Sequence, residues 1–113
     1  MYNKEVISLT IREARNLKEK IQGLLGKEKP EPLMIKTHFG IHTFGMKFPI
    51  DVLILDKNNK IVSIKKNLKP YRIFLWNPLY EKVIELPLQT IEKKKLKLND
   101  IVSLRNVPQE YNH

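Results

Sequence analysis

Ile50–Leu55 is an apolar run interrupted once, by Asp51. A short run of this kind, ending at a cluster of turn formers, suits a central β-strand covered on both faces. Asp51 is costly there unless it is paired or accepts several hydrogen bonds. The expected partners are Lys47, Arg72 or the backbone amides of the Phe48-Pro49 turn. Asp56-Lys57-Asn58-Asn59-Lys60 follows as a turn, because Asn tolerates left-handed backbone and Asp and Asn side chains bond locally. Ile61–Lys66 returns as the partner strand of a hairpin, with Val62 and Ile64 expected on one face. Glu5–Leu9, Leu33–Ile35, Phe39–Phe44, Tyr71–Trp76, Tyr80–Leu86 and Ile101–Arg105 read as further short strands.

Two segments read as helical. Thr10-Ile11-Arg12-Glu13 matches a capping box, in which the Thr hydroxyl and the Glu carboxylate satisfy free amides reciprocally. Behind it Ala14, Leu17, Ile21, Leu24 and Leu25 fall at helical spacing, with Gly26 as the stop. Thr90–Leu96 reads as a short second helix. The expectation is a mainly β (α+β) protein: a compact β-sandwich or barrel of about six to eight short strands, with an amphipathic helix near the N-terminus and a short helix near the C-terminus. Residues 1–113 form one domain, since halves of this length would bury too little surface to be stable alone.

The formal charge of +9 attracts polyanions, so nucleic acid is a possible partner. It is not favoured, because Arg stands only at positions 12, 15, 72 and 105, and base and phosphate readers use its planar fork. The absence of Cys excludes disulfides, Cys-ligated zinc and a thiol nucleophile. No run approaches the ~20 apolar residues of a membrane span and no signal peptide is visible, so a cytoplasmic protein without a membrane partner is expected.

The segment Gly40-Ile41-His42-Thr43-Phe44-Gly45-Met46-Lys47-Phe48-Pro49-Ile50-Asp51-Val52-Leu53-Ile54-Leu55-Asp56 resembles the hallmark of the domain of unknown function 192 family. That hallmark is an apolar–His-Thr-Phe-x-Met-basic stretch, then Pro-apolar-Asp, then a hydrophobic strand ending in Asp. Leu68-Lys69-Pro70-Tyr71-Arg72, Val83-Ile84-Glu85-Leu86-Pro87 and Asn99-Asp100-Ile101-Val102 are similar to further steps of the family pattern, as are Arg15 and Gly23-Leu24-Leu25 upstream. The resemblance implies a compact β-sandwich with a short helix, and it supplies no established activity. Gln89 and Asn99 stand where the family usually has Gly, which implies left-handed turns that Asn fills better than Gln.

The polar residues clustered inside this apolar segment, His42, Thr43, Met46, Lys47 and Asp51, with Arg72 and Trp76 nearby, form the candidate ligand-binding set. Asp51 is read first as a structural anchor, and only second as the polar floor of a pocket with His42 as proton acceptor. A metal site is not expected, because His38 and His42 on an extended segment lie about 13 Å apart. Ser8, Ser63 and Ser103 lack a nucleophile elbow, and no phosphate or dinucleotide loop is present. No catalytic residue and no cofactor is assigned. The leading expectation is a non-enzymatic binding or accessory module for a small molecule or a protein. The alternatives are a small hydrolase or transferase using His42 and Asp51, and a non-specific nucleic-acid binder. Among the aromatic residues, most are expected in the core, with Trp76 the one partly exposed.

Overall fold

A computed structural model describes residues 6–13, 31–38, 40–44 and 46–106. Eight strands occupy most of this length: β1 (Val6–Glu13), β2 (Leu33–Lys36), β3 (Gly40–His42), β4 (Ile50–Leu55), β5 (Ile61–Leu68), β6 (Ile73–Leu75), β7 (Lys82–Pro87) and β8 (Ile101–Asn106). A single turn of helix, α1 (Thr90–Lys93), precedes β8. Six strands form one mixed sheet in the order β5-β4-β7-β2-β1-β8, and β3 and β6 form a separate two-stranded ribbon. The sheet curls into a half-barrel whose outermost strands meet at one end. There the Ile61 amide donates to the Asp100 carbonyl at 2.9 Å and the Val102 amide to the Asn59 carbonyl at 2.9 Å.

The alternation of side chains across the sheet creates two cores. Leu9, Ile11, Met34, Leu53, Leu55, Ile84, Leu86 and Val102 point into the half-barrel, where Ile91 of α1 and Leu96 close its end. The opposite parity, Leu33, Ile35, Ile50, Val52, Ile54 and Val83, faces outward and is covered by Met46 and by the ribbon residues Ile41 and Phe74. Burial on both sides explains why β4 is wholly buried and apolar except at Asp51.

Three expectations are corrected. Thr10–Glu13 is not a helix start but the end of β1, paired in parallel with β8 and β2. Ladder pairing and the burial of Leu9 and Ile11 outweigh the local capping pattern. The remainder of the expected N-terminal helix, Ala14–Leu25, lies outside the described residues. The mainly β class, eight strands and a short helix near the C-terminus stand as expected, but the architecture is a half-barrel with a covering ribbon rather than a sandwich, and α1, the one helix among the described residues, stops at Lys93 rather than Leu96. Val62 and Ile64 do not share a face: the register slips between Ile54 and Leu55, so Val62 joins the outer core and Ile64 the inner one.

The Asp56–Lys60 turn forms as expected, with Asp56 Oδ1 accepting the amides of Asn58 and Lys60 at 2.8 and 2.9 Å. Gln89 and Asn99 both adopt the left-handed region, at φ 72° and 74°. Gln89 also makes no side-chain cap to α1. Gln89→Gly is therefore expected to raise stability by up to about 1 kcal/mol, relief of left-handed strain outweighing the entropy of glycine. Urea denaturation of the pair measures it, and a loss of stability would contradict the strain argument.

Candidate functional site

The segment that resembles the family hallmark divides between the two cores. Asp51 has the parity of Leu53 and Leu55 and faces the inner core, where it is buried. Its Oδ1 accepts the Asn67 amide at 3.1 Å and its Oδ2 accepts the Ile91 amide at 3.1 Å. The first of these amides belongs to a β-bulge. Ile50 pairs with Leu68 and Val52 with Lys65, so Lys66 and Asn67 together oppose Asp51, and Asn67 takes a left-handed φ of 55°. The second amide is in the first turn of α1, whose own flanking residue provides no side-chain cap. A carboxylate from β4 thus supplies the cap that Gln89 does not. The expected partners of Asp51, namely Lys47, Arg72 and the Phe48-Pro49 amides, are replaced by these two backbone groups.

Beside Asp51 lies a shallow cleft of about 190 Å³, lined by Lys66, Asn67, Leu88, Gln89 and Glu92. Its charged groups are engaged: both Asp51 oxygens hold amides, and Lys66 Nζ faces Glu92 Oε1 at 3.8 Å.

Thr43 is the second buried polar residue of the segment, and it lies on the other side of β4. It follows β3 and ties the ribbon to the loop before β6. Its hydroxyl donates to the Lys69 carbonyl at 2.6 Å and accepts the Arg72 amide at 2.8 Å. Its backbone amide donates to the Arg72 carbonyl at 2.9 Å, and its carbonyl accepts the amides of Met46 and Tyr71 at 3.1 and 3.2 Å. These bonds hold Tyr71 at φ 62°, a conformation unfavourable by about 1–3 kcal/mol for a bulky side chain.

Thr43 thereby sets the outer face of the ribbon. Ile41 and Phe74 pair across it and pack inward, so Gly40, His42, Ile73 and Leu75 point outward. Gly40 is required, because a Cβ there would lie 2.6 Å from both Leu75 Cδ2 and the Phe74 carbonyl oxygen. Tyr71, Ile73 and Leu75 are 68%, 61% and 69% exposed, and Phe44 is 45% exposed. His42 and Phe44 stack with centroids 5.4 Å apart, and Phe44 and Tyr71 meet at 6.3 Å. Trp76 is partly exposed as expected, with Nε1 donating to the Tyr80 carbonyl at 2.8 Å, while Tyr71 and Phe44, expected among the core aromatics, are the more exposed rings.

Of the seven candidate residues, the structure gathers His42, Thr43, Met46 and Arg72 around the ribbon and its loop and sets Asp51 apart. Thr43 and Met46 are buried braces on the outer-core side, Lys47 and Arg72 are exposed cations, and Trp76 packs against the outer core. His42 lies on the outside of the ribbon and Asp51 inside the half-barrel, with β4 and the outer core between them. They cannot act as an acid–base pair, which requires hydrogen-bond reach to a shared proton path. His38 engages elsewhere, with Nδ1 2.9 Å from the Pro78 carbonyl and Nε2 3.2 Å from Glu81 Oε2. Among the described residues, no three acidic or imidazole side chains converge as a metal site. Among the same residues, no helix is long and apolar enough to cross a membrane.

No curated protein matches the sequence. Two solved structures share the fold. One is a protein of unknown function from Novosphingobium aromaticivorans, with a TM-score of 0.71 at 16% identity, covering 80% of this chain and 71% of that one. The other is a proposed transcription regulator from Sinorhizobium meliloti, with a TM-score of 0.69 at 17% identity, covering 80% and 78%. The model of the domain of unknown function 192 family, described as "Uncharacterized ACR", matches residues 2–104. That match covers most of the chain, including the hallmark segment, and the chain belongs to the domain of unknown function 192 family.

Proposed function

We propose that the protein is a non-enzymatic binding module and that its contact surface is the outer face of the β3–β6 ribbon. The observation that carries this reading is the exposure of Tyr71, Ile73 and Leu75 on one face, over a ribbon that has already buried Ile41 and Phe74 on the other. A ribbon packed on one side ordinarily turns polar residues to water. Contiguous exposed apolar side chains mark an interaction site. Thr43 holds the Tyr71 backbone at the edge of this face in a left-handed, strained conformation. The polar site expected in the His42–Asp51 segment becomes, on this reading, the support of that surface: His42 belongs to the face, Thr43 positions it, and Asp51 serves the opposite core.

A nucleic-acid reading draws on a specific observation, the exposed Tyr71 ring between Lys69 and Arg72, which a single-stranded base could stack on. The aliphatic Ile73 and Leu75 on the same face weigh against it. They offer neither a ring plane to a base nor a charge to a phosphate.

The double variant Ile73→Ser/Leu75→Ser separates fold from recognition. Its unfolding free energy in urea denaturation is expected to stay within about 0.5 kcal/mol of the parent's, as for surface positions generally. In native mass spectrometry of protein gently purified from its own cells, any co-purifying partner is expected to be lost from it. A strong loss of stability would instead make these side chains part of the core and remove the reading.

A further inference from the structure

We propose that the partner of the β3–β6 face is a protein segment presenting apolar side chains flanked by carboxylates, an inference that rests on the reading of this face as the contact surface. Charge is the first support. Residues 40–50 and 69–80, which build the ribbon and its flanking loops, contain Lys47, Lys69 and Arg72 and no Asp or Glu. Lys47, Lys69 and Arg72 are exposed, and Lys69 and Arg72 bracket Tyr71 in the loop that Thr43 ties down. An apolar patch rimmed by one sign of charge selects a partner rimmed by the other. Two copies of this chain, each at +9, would oppose these cations face to face, so self-association is the disfavoured occupant.

Composition is the second support. Tyr and Arg are the residue types that dominate binding energy at protein interfaces, and here Tyr71 and Arg72 are adjacent, beside the exposed Ile73 and Leu75. Rigidity is the third. The left-handed Tyr71 backbone is held by its own amide's bond to the Thr43 carbonyl and by the Thr43 hydroxyl's bonds to the flanking Lys69 carbonyl and Arg72 amide. A fixed ring lowers the ordering cost of docking a shaped partner. A fluid anionic lipid surface gains nothing from such fixation, which sets a membrane behind a protein.

The test is selection of a random peptide library displayed on phage against the intact protein. The enriched peptides are expected to combine Asp or Glu with Leu, Ile or Phe. Their dissociation constants should rise about 30-fold with Ile73→Ser/Leu75→Ser and about tenfold with Lys69→Glu/Arg72→Glu. Peptides that lose the first variant, carry no acidic excess and bind the second variant normally overturn the acidic-partner inference while leaving the contact surface intact. Peptides that bind Ile73→Ser/Leu75→Ser as well as the parent overturn both, and so does a selection that yields no enrichment over blank support. A thymidine oligonucleotide, phosphatidylglycerol vesicles and sedimentation equilibrium of the protein alone run in parallel. Binding or dimerisation there that is stronger than any peptide and lost with Ile73→Ser/Leu75→Ser also overturns the proposal. Urea midpoints equal to the parent establish that both variants are folded.

Discussion

Asp51→Ala is expected to lower the unfolding free energy by about 2–5 kcal/mol, because it leaves the Asn67 and Ile91 amides without their acceptor in a buried site. The loss has a local signature. Amide hydrogen exchange should accelerate at Asn67 and Ile91 well beyond the change at Thr43 or Ile41, because the carboxylate closes the bulge and α1 but does not touch the ribbon. Asp51→Asn is the informative second variant. Its side-chain oxygen can accept one amide, but its NH₂ meets the other donor to donor, so an intermediate loss is expected. If both variants unfold at the parent's urea concentration, the two hydrogen bonds contribute nothing and Asp51 is retained for another reason.

The second large effect is at Thr43. Thr43→Val preserves shape and removes the hydroxyl that the Lys69 carbonyl and the Arg72 amide share, at an expected cost of about 2–4 kcal/mol. Thr43→Ser restores the hydroxyl and should recover most of the loss. Trp76 is the chain's only tryptophan and lies between the ribbon and the outer core, so its fluorescence reports this unfolding directly. The Val variant should also release Tyr71 from its left-handed conformation, and binding at the ribbon face should weaken even at temperatures where the protein remains folded. Recovery of stability without recovery of binding in Thr43→Ser would separate the brace from the surface and count against their coupling.

Much of the sheet was legible because its signals are local. The bounds of β4 and the Asp56–Lys60 turn follow from an apolar run and from turn chemistry that acts within a few residues. The left-handed turns at Gln89 and Asn99 were legible only through the resemblance, whose pattern has Gly at both positions. Thr10–Glu13 was misread because a capping box is also a local signal, and there a parallel ladder formed with residues far along the chain overrides it. Asp51 was recognisable as an anchor from the cost of burying a carboxylate, but its partners were not. One depends on a register slip in β5, the other on a helix end 40 residues away. The face now read as the contact surface was written in Tyr71–Trp76, which is apolar at both parities. Which parity meets water is not written there, since nothing in the sequence shows that β6 pairs only with the three residues of β3 and has solvent beyond it.

Chemical-shift mapping on the ¹⁵N-labelled protein, titrated with a library-selected peptide, is the most direct test that recognition and support are divided between the two sides of β4. The largest shifts are expected at Ile41–Phe44 and Tyr71–Leu75, with Asp51, Asn67 and Ile91 nearly silent. Shifts centred on the cleft beside Asp51, at Lys66, Gln89 and Glu92, with the ribbon unmoved, would contradict the account.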